Sequence, residues 1–157
     1  MRFSRLWLVA AVITLLGCAA GPSPSNPSDS LYLRQLRQLL PADAILMGEQ
    51  HDAPDHQRLH RMVVETLATQ QTLAALTLEM ASQGSSTEAL KRDATEDQVR
   101  AALQWDPKAW PWAAYGPAVM TAVRAGVPVL GANLPATQLR EAMVNAGLDR
   151  LLSGPAL

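Results

Sequence analysis

Cysteine is nearly absent from this chain of 157 residues, because Cys18 is the only one. A single thiol cannot close an intrachain disulfide or build a cysteine metal cluster. Positive charge is also in short supply, since 13 Lys and Arg residues face 14 Asp and Glu residues, which gives a net charge of −1 and a pI near 6.3. The sequence has no internal repeat and no phosphate-binding glycine loop. The composition therefore carries no basic footprint for nucleic acid.

Apolar residues make up 48% of the sequence, which is enough for a real core, and the length suggests one domain. The apolar residues at the beginning of the chain do not belong to that domain. Arg2 and Arg5 precede an apolar run, Leu6–Leu16, that is too short to span a membrane comfortably. A positive segment followed by a short apolar run is typical of a secretory signal. Its end, Leu15–Cys18, reads L-L-G-C and resembles the lipobox of bacterial lipoproteins.

The lipobox implies that residues 1–18 are a lipoprotein signal and that Cys18 is acylated after cleavage before it. Acyl chains would hold the protein on a bilayer. Ala19 follows, where lipoproteins kept at the inner membrane often carry Asp, so the outer membrane is the expected location. Residues 19–30 are rich in proline, serine and glycine, which predicts a flexible tether. The alternative is a plain signal peptide, or an N-terminal anchor, with a chance cysteine.

Short apolar runs alternate with helical patterns through residues 31–157. Buried strands are predicted at Ala44–Met47, Leu73–Met80 and Val127–Leu134. This alternation predicts an α/β fold with a parallel sheet and flanking helices. The predicted helices are Leu31–Leu40, a helix capped by Asp52 and running to about Gln71, Ser86–Arg92, Glu96–Gln104, Pro117–Ala125, and one from Pro135 that Gly147 closes.

Two of these helices are predicted from capping boxes. Ser85–Glu88 and Thr95–Gln98 both carry a hydroxyl residue followed three positions later by Glu or Gln. The two short helices would form an insertion between the second and third strands, and this insertion could cover a site.

Polar side chains follow the predicted strands at their carboxyl ends. Glu49 and His51 follow the first strand, Glu79 lies at the end of the second, and Asn133 lies at the end of the third. In open parallel sheets, ligands bind in the crevice beyond these ends. The convergence predicts a functional site built from these residues.

The other two histidines, His56 and His60, lie four residues apart on the predicted second helix and therefore on one face. The spacing could hold a metal, but no Glu follows the first histidine as in a zinc-protease helix. His60 is interpreted as a solvated helix histidine. The role of His56, in the first turn and nearer the strand end, is left open.

Aromatic residues are rare and concentrated. Outside the signal they are Tyr32 and four residues within Trp105–Pro117, namely Trp105, Trp110, Trp112 and Tyr115. Three interpretations compete for this stretch: a satellite core under a loop, a dimer surface, or a platform for a flat ligand. Tyr115 differs from the tryptophans because a phenol can also ligate ferric iron.

Four motifs together resemble the ChaN-like haem-binding lipoproteins: G-E-Q-H-D at Gly48–Asp52, L-E-M at Leu78–Met80, W-x-W-x-x-Y-x-P at Trp110–Pro117, and A-N-L-P at Ala132–Pro135. The resemblance implies a membrane-attached α/β protein that binds haem for iron uptake. It implies a homodimer that encloses stacked haems, and an outer-membrane haem transporter as a further partner. A tyrosine, here Tyr115, would ligate the iron, and a histidine would help to hold the propionates. The residues expected around the haem are Tyr115, His51, Glu49, Glu79, Trp112 and Asn133.

The wider superfamily, which includes proteins similar to Tiki proteases and erythromycin esterases, implies an alternative. In those enzymes a G-x-x-H box, here Gly48–His51, acts with acidic residues in hydrolysis. The alternative is thus a metal-assisted or histidine-based hydrolase, with His51 as base or ligand and Glu49 and Glu79 as further ligands or acid–base groups. Family members carry a second half with more strands, so residues 31–157 are expected to form an incomplete portion of a larger α/β domain. An inactive truncated product is the third interpretation.

Overall fold

The computed structural model of the protein describes residues 27–145, which form five helices and two strands. In chain order these are α1 (Pro27–Leu39), α2 (Pro54–Thr69), β1 (Leu76–Ser82), α3 (Glu96–Ala102), α4 (Trp112–Ala125), β2 (Val129–Asn133) and α5 (Ala136–Val144). The predicted α/β fold with a parallel sheet is confirmed. The predicted signal, Cys18 and most of the predicted tether lie outside this range. Within it, no helix combines the length and the apolar character needed to cross a membrane.

The sheet consists of β1 and β2 in parallel. Leu76 lies opposite Val129, and the register continues to Leu78 opposite Gly131 before a bulge shifts it. The outer edge of β2 is covered by Ser85–Thr87, which runs antiparallel to it through a bridge between Ser86 and Leu130. The Gly131 N–H donates to the Ser85 carbonyl at 3.0 Å beside this bridge, so the segment occupies an edge of β2 that would otherwise be open to pairing.

The predicted first strand, Ala44–Met47, is wrong. The segment is not a strand and joins neither β1 nor β2. Ile45 and Met47 pack against a small apolar cluster, whereas Leu46 is 97% exposed. An apolar run of four residues can satisfy its side chains by packing one flank on a helix, and a strand also needs a neighbour for its backbone groups.

The helices differ from prediction mainly at their beginnings. α1 begins at Pro27, so the last four residues of the predicted tether are helical. α4 begins at Trp112, and Pro117 lies inside it rather than at its start. Ala53, not Asp52, is the N-cap of α2. The predicted end of α4 is correct, because Gly126 adopts the left-handed conformation with φ of 78° just beyond the helix.

The two capping boxes have opposite outcomes. Thr95 and Gln98 make both reciprocal bonds at the start of α3, as predicted. Ser86 forms the bridge to Leu130, and residues 87–92 have turns, bends and irregular backbone instead of a helix. The reason is tertiary pairing: the Thr87 hydroxyl accepts a hydrogen bond from the Val129 N–H at 2.9 Å, and the Thr87 N–H donates to the Val129 carbonyl at 3.0 Å.

The main core lies between α3, α4 and the sheet. Its largest fully buried side chains are Leu103, Val99, Val119 and Val129. A smaller cluster of Leu36, Val63 and Leu67 joins α1 to α2. α2 and α4 pack against each other, and the loop Gly48–Asp52 leads into the first turn of α2. This arrangement brings the polar residues of that loop to the junction of α2 and α4.

Candidate functional site

The site is built around the carboxylate of Glu49, whose side chain is only 4% exposed. Its Oε1 atom accepts a hydrogen bond from the Tyr115 hydroxyl at 2.6 Å. The same atom lies 3.0 Å from His51 Nδ1 and accepts from Gln57 Nε2 at 3.1 Å. A loop, α2 and α4 therefore all supply hydrogen-bond donors to one buried oxygen.

The second oxygen of Glu49 is in a different position. Its Oε2 atom lies 3.1 Å from His60 Nδ1, which is an ion-pair distance. The angles do not make this contact a hydrogen bond, and Oε2 has no hydrogen-bond partner within residues 27–145. Contact with His60 therefore stabilises the carboxylate through charge, when the imidazole is protonated, rather than through a directed bond.

These contacts act on the two acidic groups in opposite directions. Burial alone would raise the pKa of Glu49, but hydrogen bonds from Tyr115, His51 and Gln57, with the charge of His60, outweigh it, so the pKa lies below its ordinary value. Burial raises the pKa of Tyr115, and its bond to the Glu49 carboxylate raises that pKa further. At neutral pH the pair is thus a carboxylate and a neutral phenol.

His51 is the exposed member of the site. Its side chain is 46% exposed, and its ring meets the ring of Trp110 edge to face, with centroids 4.7 Å apart and planes at 71°. Because Glu49 is ionised and can only accept, we assign the proton on Nδ1 to the bond with Glu49. No hydrogen bond to the rest of residues 27–145 engages Nε2, so this nitrogen is available to a ligand.

The loop that carries Glu49 and His51 is fixed to α2. Gln57 Nε2 donates to the backbone carbonyl of His51 at 3.2 Å, in addition to its bond with Glu49. His56 Nδ1 accepts from the Gln50 N–H at 2.9 Å. His56, whose role the sequence left open, therefore helps to position the loop in this structure.

The aromatic stretch contributes mainly to the core. Trp105 and Tyr115 are 7% and 5% exposed and belong to the main apolar cluster, with Trp110 and Trp112 packed against it. The Trp112 indole N–H donates to Glu96 Oε2 at 2.8 Å, and the Arg100 guanidinium lies 5.7 Å from the centre of the Trp112 ring. Trp112 therefore faces α3 and not Glu49, while Trp110 contacts His51.

The structure brings together three of the predicted site residues, Glu49, His51 and Tyr115. Glu79 is exposed on β1, yet its charge is near enough to contribute to the raised pKa of Tyr115. Asn133 is half-buried at the end of β2, where its backbone carbonyl accepts from the Gln83 N–H at 2.7 Å. No hydrogen bond links Asn133 to the Glu49 cluster in the described chain.

Sequence reasoning missed Gln57, His60 and Trp110. The interpretation of His60 as a solvated helix histidine is wrong, since its side chain is 22% exposed and contacts Glu49. A signal was present: positions 57, 60, 64 and 67 follow the three–four–three spacing of one helix face, and Gln57, Val64 and Leu67 are buried. This spacing places Gln57 and His60 on the same helix face as the buried Val64 and Leu67.

Residues 27–145 contain no group of three or more His, Cys, Asp or Glu side chains that could hold a metal ion. Both histidines near Glu49 turn Nδ1 toward its carboxylate, and Glu79 is exposed on β1. The donor set of Glu49, His51 and Glu79 is therefore not assembled here as a metal site. What the geometry offers is an imidazole that a carboxylate holds on one side and that no residue of the described range 27–145 hydrogen-bonds on the other.

Comparison with known proteins identifies the family. A scan against protein-family models matches residues 35–155 to the family described as haem-binding uptake, Tiki superfamily, ChaN. No curated protein and no solved structure gives a significant match to the chain. The matched range covers the loop of Glu49 and His51, all of α2 and α4, and both strands. The chain is a member of the ChaN family of haem-binding uptake proteins in the Tiki superfamily.

Proposed function

We propose that this protein is a membrane-anchored lipoprotein that binds haem in haem and iron uptake, with His51 as the residue that meets the iron. Membership of a family described as haem-binding uptake supports the haem. The observation that carries the assignment to His51 is its pairing: Nδ1 contacts the buried Glu49 carboxylate at 3.0 Å, while 46% of the side chain is exposed.

The donor chemistry of His51 fits haem. A histidine that ligates a metal almost always donates its other ring N–H to a carboxylate or carbonyl, which fixes the tautomer and raises the basicity of the ligating nitrogen. Histidine is a common axial ligand of haem iron. Trp110 beside His51 adds a flat apolar surface of the kind that a porphyrin can contact. Bound haem would supply the iron centre, and the protein's own residues would hold the imidazole and the loop.

Tyr115, the ligand implied by the family resemblance, is not presented to an external haem in this structure. Tyr115 is 5% exposed, and its hydroxyl donates to Glu49 at 2.6 Å. Ligation as phenolate would require it to leave Glu49 and to lose a proton that burial and Glu49 both retain. We assign Tyr115 instead to holding Glu49, and through it His51.

The test is a titration of the purified protein with haemin, followed at the Soret band. We expect a saturable shift that is lost in His51→Ala and restored in that variant by added imidazole, because free imidazole can take the vacated position. His56→Asn is the matched control, since an amide oxygen can accept the same backbone hydrogen bond as His56 Nδ1. A folded wild-type protein that gives no saturable shift of the Soret band would contradict the proposed haem binding.

The anchor is the second part of the proposal. Leu15–Cys18 supports acylation of Cys18, and Ala19 supports transfer to the outer membrane. Mass spectrometry of the mature protein from a bacterial host should show a chain that begins at Cys18 and carries acyl groups. Cys18→Ser should remove them. A mature protein that begins elsewhere would contradict the anchor and leave the haem assignment unaffected.

One observation also favours a hydrolase as the second candidate. An imidazole held by a carboxylate, within the G-x-x-H box Gly48–His51, has the arrangement of a general base. Ester or peptide hydrolysis that disappears in His51→Ala, in a protein without a saturable Soret shift, would favour this candidate. A divalent ion that copurifies with the protein and is lost in His51→Ala would favour its metal-assisted form.

A further inference from the structure

Large apolar side chains are exposed on α1 and the segment beside it, as well as at Leu134 and at three positions of α5. Leu31 is 55% exposed, Leu39 is 61% exposed and Leu46 is 97% exposed. Leu31 and Leu39 are eight residues apart on α1, so with Gln35 between them they lie along one flank of the helix. Isolated exposed leucines are ordinary, but several along one flank form an exposed apolar patch, which is typical of an interaction site.

The flank of α1 and the exposed segment meet at one groove. Leu39 and Leu46 both line this open groove of about 240 Å³ between α1 and the residues before Glu49, and Tyr32 lies at the same groove. We call Leu31, Leu39, Leu46 and Tyr32 the leucine face. A phenol at the border of exposed leucines resembles the composition of side chains that sit at a membrane interface, where one end is apolar and the other is hydrated.

The leucine face lies close in the chain to the proposed anchor at Cys18, and this proximity indicates which partner contacts the face. Cys18 lies nine residues before Pro27, the first residue of α1. A chain of that length spans at most about 30 Å when fully extended. Helix α1 is therefore the element closest in the chain to an acylated Cys18, and a bilayer that holds the acyl groups is within reach of its surface.

From these observations we propose that the leucine face docks on the membrane surface, so that α1 lies against the bilayer. The inference rests on the lipid anchor in the proposed function, and it goes beyond that anchor by orienting the domain. Arg34, exposed and three residues after Leu31, would lie near the anionic headgroups. The acyl chains make the second contact far more favourable, because a tethered surface meets the bilayer at a high effective concentration.

The test uses the acylated protein reconstituted into liposomes of phosphatidylethanolamine and phosphatidylglycerol. Cys18 is the only native cysteine and carries the lipid, so an introduced cysteine is the single free thiol for an environment-sensitive fluorophore. Leu46→Cys reports on the leucine face. Glu88→Cys is the matched control, exposed on the turn that follows the segment covering the outer edge of β2 and outside the groove. Because Leu46 is almost fully exposed, its replacement removes no packing.

We expect nitroxide-labelled lipid to quench the fluorophore at position 46 several-fold more strongly than at position 88, and iodide in the water to show the reverse order. Leu39→Asp introduced into the Leu46→Cys protein should reduce the lipid quenching, since a carboxylate at the bilayer is costly. Equal lipid quenching at both positions in an acylated, haem-binding protein overturns the docking proposal alone. A label at position 46 that is shielded from both quenchers overturns it in favour of a second copy of the chain on this face. A mature protein without acyl groups contradicts both the anchor and the docking.

Discussion

The Tyr115 hydroxyl donates a 2.6 Å hydrogen bond to Oε1 of Glu49, a residue 66 positions earlier in the chain. This bond joins α4 to the loop that carries His51 and crosses the junction of α2 and α4. The carboxylate is buried and ionised, the phenol is buried and neutral, and each stabilises the state of the other. The orientation of the exposed imidazole therefore depends on a tyrosine from a distant helix.

Replacing the central carboxylate should destabilise the fold. We expect Glu49→Gln to lower the free energy of unfolding at neutral pH by about 1–3 kcal/mol, because the variant loses a charged acceptor for buried donors. Urea denaturation measures the change. Glu88→Gln, at an exposed glutamate, is the control and should change the free energy by less than about 0.5 kcal/mol. Equal effects of the two substitutions would show that the hydrogen bonds to Glu49 contribute nothing net.

The same carboxylate predicts an acid dependence with a definite sign. The pKa of Glu49 is lower in the folded protein than in the unfolded chain, so the folded state binds this proton less readily. Its contribution to stability is therefore complete above the unfolded pKa of about 4.3 and is lost as the pH falls through the folded pKa. We expect the difference in unfolding free energy between wild type and Glu49→Gln to shrink below pH 4.3. A difference that stays constant down to acid unfolding would contradict the lowered pKa.

Local signals predicted part of the fold and tertiary pairing decided the rest. The Thr95–Gln98 capping box and Gly126 beyond α4 were predicted correctly, because each is satisfied within its own turn of helix. The Ser85–Glu88 pattern failed because Thr87 uses its hydroxyl to bind the backbone of Val129, which lies 42 residues away. Ala44–Met47 failed for a related reason, since an apolar run does not specify whether a neighbouring strand pairs with it.

The site was predictable only where the chain brings its residues together locally. Glu49 and His51 are two positions apart and could be found from the loop itself. The family motif pointed to Tyr115, but nothing in its neighbourhood along the chain indicates that its hydroxyl binds Glu49. His60 could not be placed in the site from the apolar periodicity of α2, because that periodicity does not distinguish a partly buried polar residue on the same face from a solvated one.

The indole of Trp112 packs so closely over Gly116 that we expect a larger residue at position 116 to destabilise the protein. A Cβ atom at position 116 would lie 2.5 Å from Trp112 Nε1, so Gly116→Ala must displace the ring and weaken its bond to Glu96. We expect a loss of about 1–3 kcal/mol of unfolding free energy by urea denaturation. In a Trp112→Ala background the same change should instead stabilise the protein by up to about 1 kcal/mol, because alanine is a better helix former than glycine. The same sign in both backgrounds would rule out the steric explanation.

The neutral state of Tyr115 can be measured by alkaline titration. Tyr32→Phe leaves Tyr115 as the only tyrosine, and the ultraviolet absorbance of tyrosinate then reports on it alone. We expect Tyr115 to ionise well above the ordinary tyrosine pKa of about 10. Its contribution to folding stability is therefore present below a pH of about 10 and is lost as the pH rises beyond it. Adding Glu49→Gln should bring the pKa down, since the carboxylate is one of its causes. Ionisation at or below about 10 in the folded protein would mean that the phenol is neither buried nor bound to Glu49.

The iron ligand is decided by a pair of tyrosine variants compared with His51→Ala. Tyr115→Phe keeps the ring in the core and deletes the oxygen that binds Glu49, so the fold should be retained. If His51 is the ligand, the Soret band and the spin state of ferric haem should stay as in the wild type. The affinity should fall by up to about tenfold, which corresponds to the roughly 1.4 kcal/mol expected for one hydrogen bond to the supporting carboxylate. Tyr32→Phe, at the half-exposed tyrosine, should leave both spectrum and affinity unchanged.

A high-spin tyrosinate spectrum in the wild type that disappears in Tyr115→Phe would contradict the assignment of His51 as the ligand. It would mean that haem binding draws the phenol away from Glu49, because a phenolate cannot serve the iron and donate to a carboxylate at once.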